Sequence, residues 1–98
     1  MQETPSQELT CGSHSYEAYR ISTGKANLLM IKGHKGFLGC GYFNIEVADK
    51  IGEAVALVTG VKNFGDMLNA KVFAVSAAAQ GLGVKLGDSG QEALEKLA

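Results

Sequence analysis

At 98 residues the chain is one domain, and a chain of this size buries roughly 60–70 % of its unfolded surface. Its 46 % apolar content supports a core without metal or disulfide staples, and is generous enough for so small a body to point to a buried subunit interface. Nine basic and ten acidic residues leave a net charge of −1, which excludes bulk electrostatic attraction to nucleic acid or anionic lipid.

Met1 to Ser15 is polar, carries the single proline and has no periodicity, so residues 1–15 read as a loose lead-in to a domain spanning 16–98. Tyr16 to Ile21 alternates, setting Tyr16, Ala18 and Arg20 against Glu17, Tyr19 and Ile21, and predicts a first strand. Ser22-Thr23-Gly24-Lys25 has turn chemistry and delivers the chain antiparallel into Leu28-Leu29-Met30-Ile31. That run is apolar at consecutive positions. A strand with one wet face alternates, so this one is expected to be covered on both sides.

His34-Lys35-Gly36 makes a tight loop into a second apolar stretch, Phe37 to Phe43. Three strands in sequence make a meander. The period of two places Phe37, Gly39, Gly41 and Phe43 on one face of the last strand, and Leu38, Cys40 and Tyr42 on the other. Two glycines on one face leave a flat patch, which invites a close-packed helix or subunit, or else a ligand slot.

Asn44 is a good helix N-cap, because its side-chain oxygen accepts a first-turn amide. Ile45, Ala48 and Ile51 follow at helical spacing and stop near Gly52. Ala54-Val55-Ala56-Leu57-Val58 is a continuous apolar run and predicts a buried central strand. Strand, helix and strand make a βαβ unit with a crossover near the lower length limit. Asn63 and Asp66 form a variant capping box opening a short helix through Met67 and Leu68. From Ala70, the spacing of Val72, Val75, Ala79 and Leu82 fits a helix ending at Gly83. The β-branched residues 71–75 also fit a strand, but the alanines extend the helical spacing and helix is preferred. Ser89-Gly90-Gln91-Glu92 is a proper capping box leading into Ala93, Leu94 and Leu97. The fold class expected is α+β: a mixed sheet, with an N-terminal antiparallel meander plus one βαβ unit, packed with three or four short helices.

The segments GFLGCGYFN (36–44), TGVKNFGDMLNAKV (59–72) and LGVKLGDSGQEALEKL (82–97) together resemble the YunC-like family of small prokaryotic proteins, whose domain has no known function. The resemblance runs from Leu28 to the C-terminus and rests on Cys40-Gly41, Asn44, Gly60-Val61, Asp66, Leu68, Gly83, Gly87 and Gly90. It implies a compact α+β domain of about this length with no assigned activity.

Chemistry must therefore be read from the residues. No dinucleotide or phosphate-loop glycine motif is present, since Gly39-Cys40-Gly41 lacks the third glycine. His14, His34, Cys11 and Cys40 lie outside any metal-ligand spacing, so no metal or other cofactor is expected. His34, between lysines in a loop, reads as a solvated side chain. Two cysteines are too few for a disulfide framework. No charged-then-apolar leader occurs, and no apolar run nears the roughly 18 residues that span a bilayer. These features predict a reduced, cytoplasmic protein with neither nucleic-acid nor membrane partners.

Cys40 is the one potential nucleophile in the patterned region. It lies four residues before Asn44, about 13 Å along an extended strand, too far for the following helix to lower its pKa. A buried free cysteine behaving as a small hydrophobe is the preferred reading. The better site candidate is topological. If Phe37–Phe43 and Ala54–Val58 are parallel neighbours, their carboxyl ends gather Asn44, Thr59, Gly60, Lys62 and Asn63. Two helix N-termini and a lysine would then face one crevice, a seat for a small anionic ligand. Two ordinary caps and a solvated lysine is the alternative. Three readings remain: a small-ligand (anion) binding or sensing module, an assembly domain forming a homo-oligomer through its apolar hairpin, and, last for want of a base, an enzyme using Cys40.

Overall fold

The computed structural model describes residues 6–22 and 24–98. Among these residues six strands and four short helices follow in the order β1 (Ser6–Cys11), β2 (His14–Ser22), β3 (Asn27–Lys32), β4 (Phe37–Gly39), α1 (Ile45–Ile51), β5 (Val55–Leu57), α2 (Phe64–Asn69), β6 (Ala74–Val75), α3 (Ala77–Gly81) and α4 (Gly90–Leu97). All six strands form one sheet in chain order. Every neighbour pair is antiparallel except β4 and β5, which α1 joins in parallel. This is the expected α+β architecture, with the meander and the βαβ unit sharing β4.

Three expectations are corrected. Residues 6–11, read as part of the loose lead-in, form β1, paired with β2 across the two-residue turn Gly12-Ser13. An edge strand needs few inward side chains. Here Leu9 and Cys11 turn inward while Gln7, Glu8 and Thr10 stay exposed, so no apolar run announces it. The rest of that lead-in, residues 1–5, lies outside the described residues.

The second correction concerns 70–82, which is not one helix. Phe73 and Ser76 donate their amides to Leu57 and Val55 of β5, at 2.9 Å each, so residues 73–76 close the sheet edge and only the alanines after Ser76 coil. Without them the outer carbonyls of β5 would be buried unpaired, a cost that outweighs helix propensity. Third, the strand from Phe37 stops at Gly39. The Phe43 amide bonds back to the Cys40 carbonyl at 3.2 Å, and the Phe43 ring folds over Gly39 to meet Phe37 edge-on at 5.1 Å between centroids. A Cβ on Gly39 would lie 2.6 Å from that ring. The flat glycine patch is thus filled by the chain's own aromatic.

The two faces of the sheet are dressed unequally. On the inner face Tyr16, Ala18, Leu29, Ile31, Leu38 and Ala56 pack against Met67 of α2, Ala79 of α3, and Ala93, Leu94 and Leu97 of α4. On the outer face α1 alone lays Ala48 and Ile45 against Phe37, Val55 and Leu57. So β5 is covered on both sides, as its continuous apolar run requires. In β3 only Leu29 and Ile31 are fully buried, while Leu28 and Met30 are half-buried. The expectation of two covered faces is met for one face of β3 within the chain.

Ser76 ties three elements together although its side chain is fully buried. Its hydroxyl donates to the Glu53 carbonyl at 2.7 Å and accepts the amides of Val55 at 2.9 Å and Ala79 at 3.3 Å. Asp49 of α1 accepts the neighbouring Ala77 amide at 2.8 Å. At the other end of the chain α4 lies so close to α2 that a Cβ on Gly90 would fall 1.8 Å from the Met67 carbonyl oxygen. Tyr16 reaches from β2 to donate its hydroxyl to the Leu94 carbonyl at 2.9 Å.

Candidate functional site

Parallel pairing places the carboxyl ends of β4 and β5 side by side, where the chain leaves the sheet toward α1 and α2. The loops that follow, 40–43 and 59–61, enclose a cleft of about 360 Å³. Asn27, Cys40, Gly41, Thr59, Gly60 and Val61 line most of it. The loops approach closely: a Cβ on Gly41 would be 3.5 Å from the Thr59 hydroxyl. Among the described residues no Asp, Glu, Lys, Arg or His lines the cleft, so its polar character comes from the Thr59 hydroxyl, the Tyr42 phenol, the Asn27 amide and loop backbone groups.

Thr59 and Gly60, both expected at this edge, are in the cleft. The other three are placed differently. Asn44 lines the neighbouring groove beside α1, and its side chain accepts the Glu46 amide at 2.8 Å as the N-cap of that helix. Asn63 caps α2 by accepting the Asp66 amide at 2.7 Å. Asp66 in turn takes the Lys62 backbone amide at 3.0 Å, so the mouth of α2 already carries a carboxylate. At each helix end one first-turn amide is taken by the chain's own cap residue. Lys62 is exposed and follows Val61 of the cleft wall, and its side chain makes no ion pair among the described residues.

Cys40 lies at the cleft with 5 % of its surface exposed, and its Sγ accepts the Leu29 amide at 3.4 Å. The thiol fills a core position and completes the β3–β4 ladder where the strand ends. Cys11 is also free and buried. Among the described residues no group of three or more His, Cys, Asp or Glu side chains is placed to hold a metal ion, and no helix is long and apolar enough to cross a membrane.

Asn27 was not among the expected site residues, and topology is the signal that finds it. In an antiparallel pair the start of one strand lies beside the end of the next. The Cys40 amide bonds the Leu29 carbonyl at 3.1 Å, so the residues entering β3 flank those leaving β4.

Comparison with known proteins places the domain among relatives of the same build. Across 86 residues the chain is 29 % identical to the uncharacterized protein YunC of Bacillus subtilis (strain 168), covering 84 % of this chain and 85 % of that protein. The crystal structure of TA1206 from Thermoplasma acidophilum, a protein of unknown function, superposes with a TM-score of 0.91 at 38 % identity, covering 98 % of this chain and 94 % of that one. Residues 39–97, which hold α1 to α4 and both cleft loops, match the family model described as Domain of unknown function (DUF1805). The chain belongs to the DUF1805 family, as the resemblance carried by its three glycine-rich segments implied.

Proposed function

We propose that this domain is a small-ligand binding module whose seat is the cleft between residues 40–43 and 59–61. The ligand class is a small polar molecule bearing a single anionic group such as a carboxylate. The observation that carries this reading is the position of the cleft, at the carboxyl ends of adjacent parallel strands, with two hydroxyls, an amide and loop backbone as its polar lining. Lys62, next to that wall, supplies a positive charge, and the Asp66 carboxylate nearby disfavours a doubly charged phosphate over a singly charged carboxylate. A compartment in the cytoplasm fits such a role and the reduced state of both thiols.

The test is thermal unfolding at constant ionic strength with a panel of small monocarboxylates and inorganic phosphate, alongside amide chemical shifts. A bound carboxylate stabilises the fold by about 2.7 kcal/mol at a hundred times its dissociation constant and moves the amides of residues 40–43 and 59–62. Thr59→Val and Lys62→Ala should each abolish the response while leaving unliganded stability within about 0.5 kcal/mol, as exposed substitutions do. Identical responses in wild type and both variants, or shifts confined to other loops, would sink the reading.

A further inference from the structure

The outer face of the sheet presents two apolar surfaces side by side. Over β2 and β3, Tyr19 and Ile21 pair in register with Met30 and Leu28, and with Lys32 they line a shallow hollow of about 240 Å³. Beside it α1 carries Val47 and Ile51, one turn apart and 54 % and 68 % exposed, in a groove of about 300 Å³ shared with Phe37 and Val55. The surfaces are continuous, because Lys32 of the hollow and Phe37 of the groove are cross-strand partners. Nothing within the described chain covers either one, although β3 has the unbroken apolar run of a strand buried on both sides.

We propose that a second copy of this chain covers them, with α1 of each copy laid on the β2–β3 face of the other about a twofold axis. The dimensions fit. α1 rests on β4 and β5, two strand spacings from the β2–β3 midline, or about 10 Å. A partner's α1 seated on β2 and β3 would lie beside the first at about 10 Å, an ordinary distance between packed helices. Each helix would then bury Ile45 and Ala48 on its own sheet and Val47 and Ile51 on its partner's. Ile21, Val47 and Ile51, at 41 %, 54 % and 68 % exposure, with half-buried Tyr19, Leu28 and Met30, form the apolar centre of a patch whose polar rim extends it toward the roughly 800 Å² per partner of a stable dimer. Charge presents no obstacle. At net −1 two copies barely repel, and the rim carries both signs in the register pair Glu17 and Lys32. A twofold contact also uses one surface on both copies, so both unpartnered faces are buried by a single operation.

Sedimentation of the full chain from micromolar to several hundred micromolar tests this. Wild type should run as a dimer. Ile51→Glu on the helix and Ile21→Glu on the sheet, both at exposed positions, should each raise the dimer dissociation constant roughly a hundredfold while circular dichroism remains native. Leu86→Glu, equally exposed but on the loop before α4, should leave it unchanged. A monomer throughout, as expected if a different partner covers this face, would overturn the proposal. So would a dimer indifferent to both outer-face glutamates, or one that Leu86→Glu dissociates equally well.

Discussion

Replacing Ser76 by alanine removes one oxygen and strands three backbone groups. The Val55 amide, the Glu53 carbonyl and the Ala79 amide all bond this hydroxyl at 2.7–3.3 Å, in a side chain with no exposure. Alanine leaves almost no cavity, so the loss is polar. At about 1 kcal/mol net per hydrogen bond the cost is about 3 kcal/mol, a large share of the 5–15 kcal/mol typical of a domain. Urea unfolding should show the midpoint falling by about 2 M with an unchanged slope. Ser89→Ala is the control, because that hydroxyl caps only the Glu92 amide of α4 and should cost about 1 kcal/mol. Amide exchange at Val55 should accelerate in Ser76→Ala more than exchange at Leu94. If Ser76→Ala costs no more than Ser89→Ala, the hydroxyl is a simple cap and the triple junction is not what holds β5, β6 and α3 in place.

Gly90→Ala should destabilise by about 3 kcal/mol or more, because the new methyl meets the Met67 carbonyl, which cannot rotate away; guanidinium unfolding measures it. Cys40 should react with a thiol reagent far more slowly in native protein than in denaturant, given its 5 % exposure, and equal rates would refute its burial. The Lys96 ammonium, 2.9 Å away, and then the Lys85 amide hold the Asp88 carboxyl below its ordinary value of 3.8. A lowered carboxylate contributes stability above its unfolded pKa and loses it as pH falls through the folded one. The urea midpoint should therefore decline below about pH 4, and Asp88→Asn should flatten that decline. Asn63→Ala should cost about 1 kcal/mol as a lost cap, whereas Lys62→Ala should cost little, a contrast that urea titration of the two variants resolves.

Elements that carry their own local chemistry were legible from residue spacing: α1, α2 and α4 begin at Asn44, Asn63 and Ser89, each of which accepts an amide of its helix's first turn. β6 was not, because what makes residues 73–76 extended is the open edge of β5, a partner on the far side of α2 rather than anything in the local spacing. β1 was hidden for a related reason, since its inward side chains are sparse and its ladder comes from β2. For the candidate site, parallel β4 and β5 made Thr59 and Gly60 readable. Asp66 places a carboxylate at the mouth of α2, where it accepts the Lys62 amide. Asn27 belongs to the cleft through strand pairing alone.

The strand order that follows chain order has a kinetic consequence. Each strand pairs with a neighbour in the chain, across turns of two to four residues in the meander, so loop-closure entropy is small at each early step. The sheet can zip outward from the β2–β3 hairpin without waiting for remote segments. The contacts that bridge the chain's ends belong to α4, through Tyr16 to Leu94, 78 residues apart, and through the Lys35 amide to the Leu97 carbonyl. Docking of α4 should come late. Mutations such as Leu94→Ala should mainly speed unfolding, while core changes in β2 and β3 should slow folding.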